Sequence, residues 1–223
     1  MQYRKIQDTA NIGWLEHTEN YMKNKEKMLK WYTDSLNTHG ENDFRSLTWG
    51  DEEGKSAELR YDQMNSEVSF SGKSIFEVGC GWGSFFDFGY SCKTYMGIDI
   101  LGDFIDIAYK KYGNLPNAKF FVEDISHILS PGAFDLTISS GVAGNRGGPA
   151  CEPKQLLNYL RKMYSCSNTV LVNFPSNRAT IRTENVEYFS PEYVLGQALC
   201  ITDNVKIIHK NKFDFLLRLD HNE

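Results

Sequence analysis

Residues 74–83 read Ser-Ile-Phe-Glu-Val-Gly-Cys-Gly-Trp-Gly, an apolar run carrying the acid Glu77 and then glycines at alternate positions, Gly79, Gly81 and Gly83. A second apolar run, Tyr95-Met96-Gly97-Ile98, ends in another acid, Asp99. Where a strand turns into a helix, glycines let backbone N–H groups approach a ligand closely. An acid at the tip of the next strand can then take both hydroxyls of a ribose. The layout suits a nucleoside-bearing cofactor. A dinucleotide fingerprint spaces its glycines G-x-G-x-x-G. Here the third glycine, Gly83, falls one position early and Ser84 occupies the last place, so the spacing departs from that fingerprint.

The elements that must hold these residues follow from periodicity. From Ser74 onward strand and helix patterns alternate, which implies a parallel sheet covered on both faces. Strands are expected at 74–79, 94–99, 119–123, 134–140 and 169–174. Amphipathic helices are expected after Asp99, through Phe104, Ile107 and Ala108, and over 152–165, through Leu156, Leu157, Leu160, Met163 and Tyr164. Ser190-Pro191-Glu192 is a helix start, with a capping hydroxyl, proline at the first helical position and an early acid. Residues 204–209 and 214–220 are two β-type runs close enough for a hairpin. Upstream, 19–36 carries Met22, Met28, Leu29, Tyr32 and Leu36 near helical spacing before His39-Gly40. A further helix is expected over 56–66, capped by Ser56, with Leu59 and Met64 as buried contacts. Residues 1–70 thus form a helical extension or lid, and 71–223 the cofactor-binding domain.

Acid-x-Gly-x-Gly-x-Gly after the first strand resembles motif I of the class I S-adenosylmethionine-dependent methyltransferases. Gly97-Ile98-Asp99, Glu123-Asp124-Ile125 and Phe134-Asp135-Leu136 follow in that family's order. The resemblance spans roughly 56–220. It implies an α/β, Rossmann-like fold with a mostly parallel seven-stranded sheet, whose C-terminal antiparallel hairpin inserts its last strand beside the fifth. It also implies S-adenosylmethionine as cofactor and S-adenosylhomocysteine as product. Glu77 would order the loop, and Gly79, Cys80, Gly81 and Gly83 would make room for the methionine and ribose parts. Asp99 would hold the ribose, and Ile100 and Ile125 would flank the adenine. Asp124 would accept from the adenine amine or cap the turn that follows it. Ser140 and Gly141, at the tip of the fourth strand, would meet the methionyl end. Arg60 is either a partner for the methionyl carboxylate or a solvated arginine on a helix face, and Trp49 either lids the pocket or plugs a local core. His39-Gly40, Trp49, Arg60-Tyr61, Ser140-Gly141 and Tyr188-Phe189-Ser190-Pro191 are similar to a little-characterised bacterial and phage subgroup.

Acceptor residues in open α/β sheets come from the crevice at the C-terminal strand ends, here the segments 139–150 and 173–183. Asn145, Arg146, Asn173 and Arg178 are the substrate candidates, and the arginines suit a small anionic metabolite. His39 is the candidate base; the alternative is a histidine satisfying its own helix end. Trp14 and Trp31 cover either a pocket or a partner. The net charge of −5 and the absence of a basic stripe disfavour nucleic acid. No apolar run approaches the ~18 residues of a membrane helix, no signal-peptide pattern is present, and the odd set of 5 cysteines lacks C-x-x-C spacing, as in reduced cytosolic proteins. The reading is a cytoplasmic methyltransferase acting on a small metabolite, without a metal. Its alternatives are an RNA or protein methyltransferase and a protein that binds or cleaves S-adenosylmethionine without methylating.

Overall fold

The computed structural model describes residues 22–48, 50–128, 134–151, 153–210 and 212–221, so Trp14 and Trp49 lie outside the described residues. Helix α1 covers 22–39. It is followed by α2 (Lys55–Glu67), β1 (Ser74–Val78), α3 (Ser84–Asp87), β2 (Thr94–Asp99), α4 (Gly102–Tyr112) and β3 (Ala118–Val122). Then come β4 (Phe134–Ser139), α5 (Pro153–Tyr164), β5 (Ser167–Pro175), α6 (Pro191–Ala198), β6 (Val205–Ile208) and β7 (Asp214–Asp220).

The strands form one sheet of 7 in the order β3-β2-β1-β4-β5-β7-β6. Strands β1 to β5 pair in parallel, β7 lies antiparallel between β5 and β6, and the hairpin expected at the C-terminus is that insertion. Alternation along each strand splits the core in two. Phe76, Val78, Val170, Val172, Phe215 and Leu217 pack on one side with Leu156, Leu160 and Met163 of α5 and Val194 of α6. Ile75, Phe120, Leu136, Leu171 and Leu216 pack on the other with Tyr61 and Met64 of α2 and Ile105 and Ala108 of α4. Helix α6 begins as its sequence predicts, with Ser190 Oγ accepting from the Tyr193 N–H and Pro191 in the first turn.

Two local expectations change. Helix α2 starts at Lys55 with Gly54 at its N-cap position, and Asp51 from the preceding loop does the capping, its carboxylate accepting from the N–H groups of Lys55 and Ser56 at 2.7 and 3.2 Å. Leu59 points outward, 66% exposed, because Tyr61 turns the opposite face of the helix into the core. The helix after the glycine loop, α3, is only 4 residues long. Among the described residues, no helix is long and apolar enough to cross a membrane.

Candidate functional site

A cavity of about 900 Å³ lies under the glycine loop, against the C-terminal ends of β1 to β4. Parallel pairing brings those ends to one edge, because Val78 sits opposite Ile98 and Asp99 opposite Val122. Gly79, Cys80 and Gly81 line the cavity from the first strand end, Asp99 and Ile100 from the second. Asp124 and Ile125 follow from the third, and Ser140 and Gly141 from the fourth. Nine of the residues expected at a cofactor site therefore share one space. Gly83 stands behind it: a Cβ there would meet the rings of Phe120 and Tyr112 at 3.0 Å, so this glycine serves packing.

Glu77 also stands behind the loop, fully buried. Its carboxyl group accepts from the Tyr61 hydroxyl at 2.7 Å and from the Tyr95 hydroxyl. Burial raises its pKa to about 7, against the stabilising pull of the two tyrosine donors and with some help from Asp99. The folded chain therefore holds this proton more tightly than the unfolded chain, where a glutamate titrates near 4.5. Between those values the unfolded state gains by ionising, so stability falls as pH rises through the window. Thermal unfolding should shift to lower temperature from about pH 5 to about pH 8 for this reason. Glu77→Gln should flatten that part of the profile, and an unchanged slope in the variant would remove Glu77 from the account.

Asp99 is held by the loop it faces. One carboxylate oxygen accepts from the Gly81 N–H and the other from the Leu101 N–H, both at 2.9 Å. Burial pushes its pKa upward, and these backbone donors work against the rise. Cys80 is pushed well above the usual thiol range by burial, then by Asp99 and Glu77, so it remains a thiol. Ser140 Oγ is buried beside the cavity with no hydrogen-bond partner among the described residues. Such orphans are uncommon in folded proteins, and a ligand group can complete this one.

Helix α1 roofs the cavity through Lys25, Met28, Leu29 and Tyr32, one face at helical spacing. Lys25 Nζ meets Asp124 Oδ2 at 2.6 Å. The same aspartate caps the turn at Ile125–His127 by accepting from the Ser126 N–H at 2.9 Å. Burial alone would raise the Asp124 pKa, but Lys25 and the Ser126 donors outweigh it and hold the carboxyl below the ordinary value. Tyr32 receives a hydrogen bond from Asn145 Nδ2 at 2.8 Å, and burial drives its phenol to about 12. Periodicity marks Tyr32 only as an apolar contact and passes over Lys25. The one signal the sequence holds for them as site residues is their spacing along α1.

A second cavity, of about 1400 Å³, adjoins the first and shares Leu47, Gly141 and Asn145 with it. Trp31, Ser35 and His39, the adjacent face of α1, line it together with Asn173 of β5. Asn173 Oδ1 accepts from the Gly141 N–H at 2.7 Å and so ties the two cavities together. His39 Nδ1 stands 4.0 Å from Asp43 Oδ2. Arg60 opens onto this second cavity and is absent from the lining of the first, because its Nε donates to Asp214 Oδ2 at 2.6 Å. Arg60 thus stands beside the second cavity, apart from the lining of the glycine-loop cavity. Arg146 and Arg178 are outside both linings; they are exposed and face Glu187 at 3.6 Å and Glu192 respectively.

No family profile and no curated protein matches the chain. Solved structures do. Magnesium protoporphyrin IX methyltransferase (ChlM) from Synechocystis PCC 6803, with bound SAH, superposes with a TM-score of 0.64 at 11% identity, over 91% of this chain and 100% of that one. Phosphoethanolamine N-methyltransferase 1 of Haemonchus contortus, in complex with phosphoethanolamine and S-adenosylhomocysteine, gives 0.66 at 11% identity, over 90% of this chain and 50% of that one. N-methyltransferase NodS from Bradyrhizobium japonicum WM9 gives 0.57 at 16% identity, over 75% and 96%. The chain has the class I methyltransferase, Rossmann-like fold.

Proposed function

We propose that the chain is an S-adenosylmethionine-dependent methyltransferase whose acceptor is a small metabolite bound in the second cavity. The observation that carries this reading is the arrangement of the first cavity. The acid that closes β2, the aspartate and isoleucine after β3 and the orphaned Ser140 hydroxyl surround one roofed space, which leads through Gly141 and Asn145 to a second. Bound S-adenosylmethionine supplies an activated methyl group on its sulfonium.

The protein's part is to bind, orient and exclude water. Asp99 accepts from the ribose hydroxyls, while its bonds to the Gly81 and Leu101 N–H groups hold it in place. Ile100 and Ile125 supply apolar adenine contacts, and Ser140 with the Gly79 and Gly141 backbone serves the methionyl end. The glycines of the loop leave room, and Glu77 stands behind them between the Tyr61 and Tyr95 hydroxyls. Asn145 and Gly141 line both cavities and would form the junction between acceptor and cofactor. His39, an imidazole in the second lining with Asp43 nearby, is the group that would take a proton when the acceptor must lose one.

Incubation of the purified chain with S-adenosylmethionine and a metabolite extract tests the reading. S-adenosylhomocysteine together with a methylated small molecule is the expected outcome. Methylthioadenosine would mean cleavage instead, and methylated RNA or protein would move the acceptor to a macromolecule. The Lys25–Asp124 contact adds an expectation about exchange. A pair of this exposure contributes about 1 kcal/mol at most, so Lys25→Ala should speed S-adenosylhomocysteine dissociation by roughly fivefold. Stopped-flow displacement reads this directly, and an unchanged rate would detach α1 from cofactor exchange.

A further inference from the structure

The second cavity has an ion pair in its wall and apolar side chains at its mouth. Asp214 opens β7, where pairing opposite Pro175 of β5 fixes its backbone. Its carboxylate receives the Arg60 Nε, and the two side chains keep only 8% and 19% of their accessible surface. Water therefore screens this pair less than a surface pair, and its charges act on whatever enters the cavity. A ligand bearing a single charge is attracted by one partner and repelled by the other at nearly the same distance. A ligand head carrying both signs, laid antiparallel to the pair, meets two attractions. Among the described residues, the other ionic groups of the lining are His39 and Arg45, and Arg45 is engaged by Asp43 and Glu52. A second observation concerns the remainder of the ligand. Ile181 and Phe213 line the same cavity while 70% and 51% exposed, and the rings of Trp31 and Tyr188 join them. Apolar surface left open at a cavity mouth marks a binding surface for an apolar body.

We propose that this cavity takes a small molecule with an apolar body and a zwitterionic, amino-acid-type head. The head's carboxylate faces Arg60 and its ammonium faces Asp214. The inference names the acceptor class of the site described above and rests on that reading.

Calorimetry on the protein saturated with S-adenosylhomocysteine tests it. Two probe series share a body and differ in the head: L-tryptophan, tryptamine and indole-3-propionate; and L-leucine, isopentylamine and 4-methylpentanoate. The zwitterion of at least one series should bind at least about tenfold more tightly than both singly charged relatives, the gain expected from one additional desolvated charge contact. Asp214→Asn should erase the advantage over the carboxylate relative while S-adenosylhomocysteine affinity stays within about twofold. A zwitterion preference below about tenfold in both series, a preference for a singly charged head in both, or no binding by any probe at millimolar concentration overturns the proposal. If Asp214→Asn fails to fold, the comparison of heads on the unaltered protein decides alone. A failure of S-adenosylhomocysteine itself to bind would instead strike the cofactor reading, so the two failures are distinguishable.

Discussion

Asp99→Ala should weaken S-adenosylhomocysteine binding by at least about a hundredfold. The carboxylate does two jobs at once. It accepts from the N–H groups of Gly81 and Leu101, and so holds the glycine loop against the start of α4. On the proposed reading it would also accept from the ribose hydroxyls. Hydrogen bonds to a charged group contribute about 1.5–3 kcal/mol each, so losing two of them at the ligand costs about 3 kcal/mol or more before any loosening of the loop. Asp99→Asn retains one carbonyl acceptor and should fall between the parent and the alanine variant. Calorimetry with S-adenosylhomocysteine measures both, with circular dichroism to establish that the variants fold. A folded alanine variant that binds as the parent does would end the cofactor assignment, and heat from a nicotinamide dinucleotide instead would redirect it.

Gly79→Ala should destabilise the chain by about 2–4 kcal/mol and abolish cofactor binding. Gly79 has φ of 75°, a left-handed conformation. Alanine adopts it at a cost of roughly 1–2 kcal/mol. The new Cβ would also stand inside the van der Waals radius of Val142 Cγ2. Val142 follows β4 and lines the same cavity, so the collision pushes the two strand ends apart where the ligand sits. The Gly79 N–H donates to the Ile98 carbonyl at 2.8 Å, and displacement of the loop strains that bond as well. The double variant Gly79→Ala, Val142→Ala separates the causes. It removes the collision and leaves the backbone strain, so about half of the lost stability should return. Denaturant unfolding provides the measurement, and a Gly79→Ala variant as stable as the parent would refute both halves of the argument.

Much of the cofactor cavity is legible in the amino-acid sequence. The glycine spacing, the acids within β1, closing β2 and following β3, the alternation of strands and helices and the closing hairpin are local patterns. A strand's period of two and a helix's period of 3.6 depend on neighbouring residues alone. A parallel sheet then brings consecutive strand ends to one edge. Glu77 and Asp99 can therefore be named together without knowing a single distance, and the resemblance to the methyltransferases implies Asp124 and Ser140 beside them. The corrected expectations are of a different kind. Ser56 and Asp51 both suit a helix cap, and only packing chose Asp51. Leu59 and Tyr61 both suit a buried face, and the hydrogen bond from Tyr61 to Glu77 chose Tyr61.

What composition and spacing determined is thus the sheet, its loops and the chemistry of one cavity edge. The tertiary structure alone decided who meets whom across it. Lys25 finds Asp124, Asn145 finds Tyr32, and Arg60 turns from the glycine loop to Asp214, 154 positions away in sequence. Pairs at such separations leave no periodic trace in a single sequence, because each partner taken alone reads as an ordinary residue of its own helix, strand or loop. Their meeting depends on how two helices are set against the sheet, and that is fixed by the summed packing of the whole core.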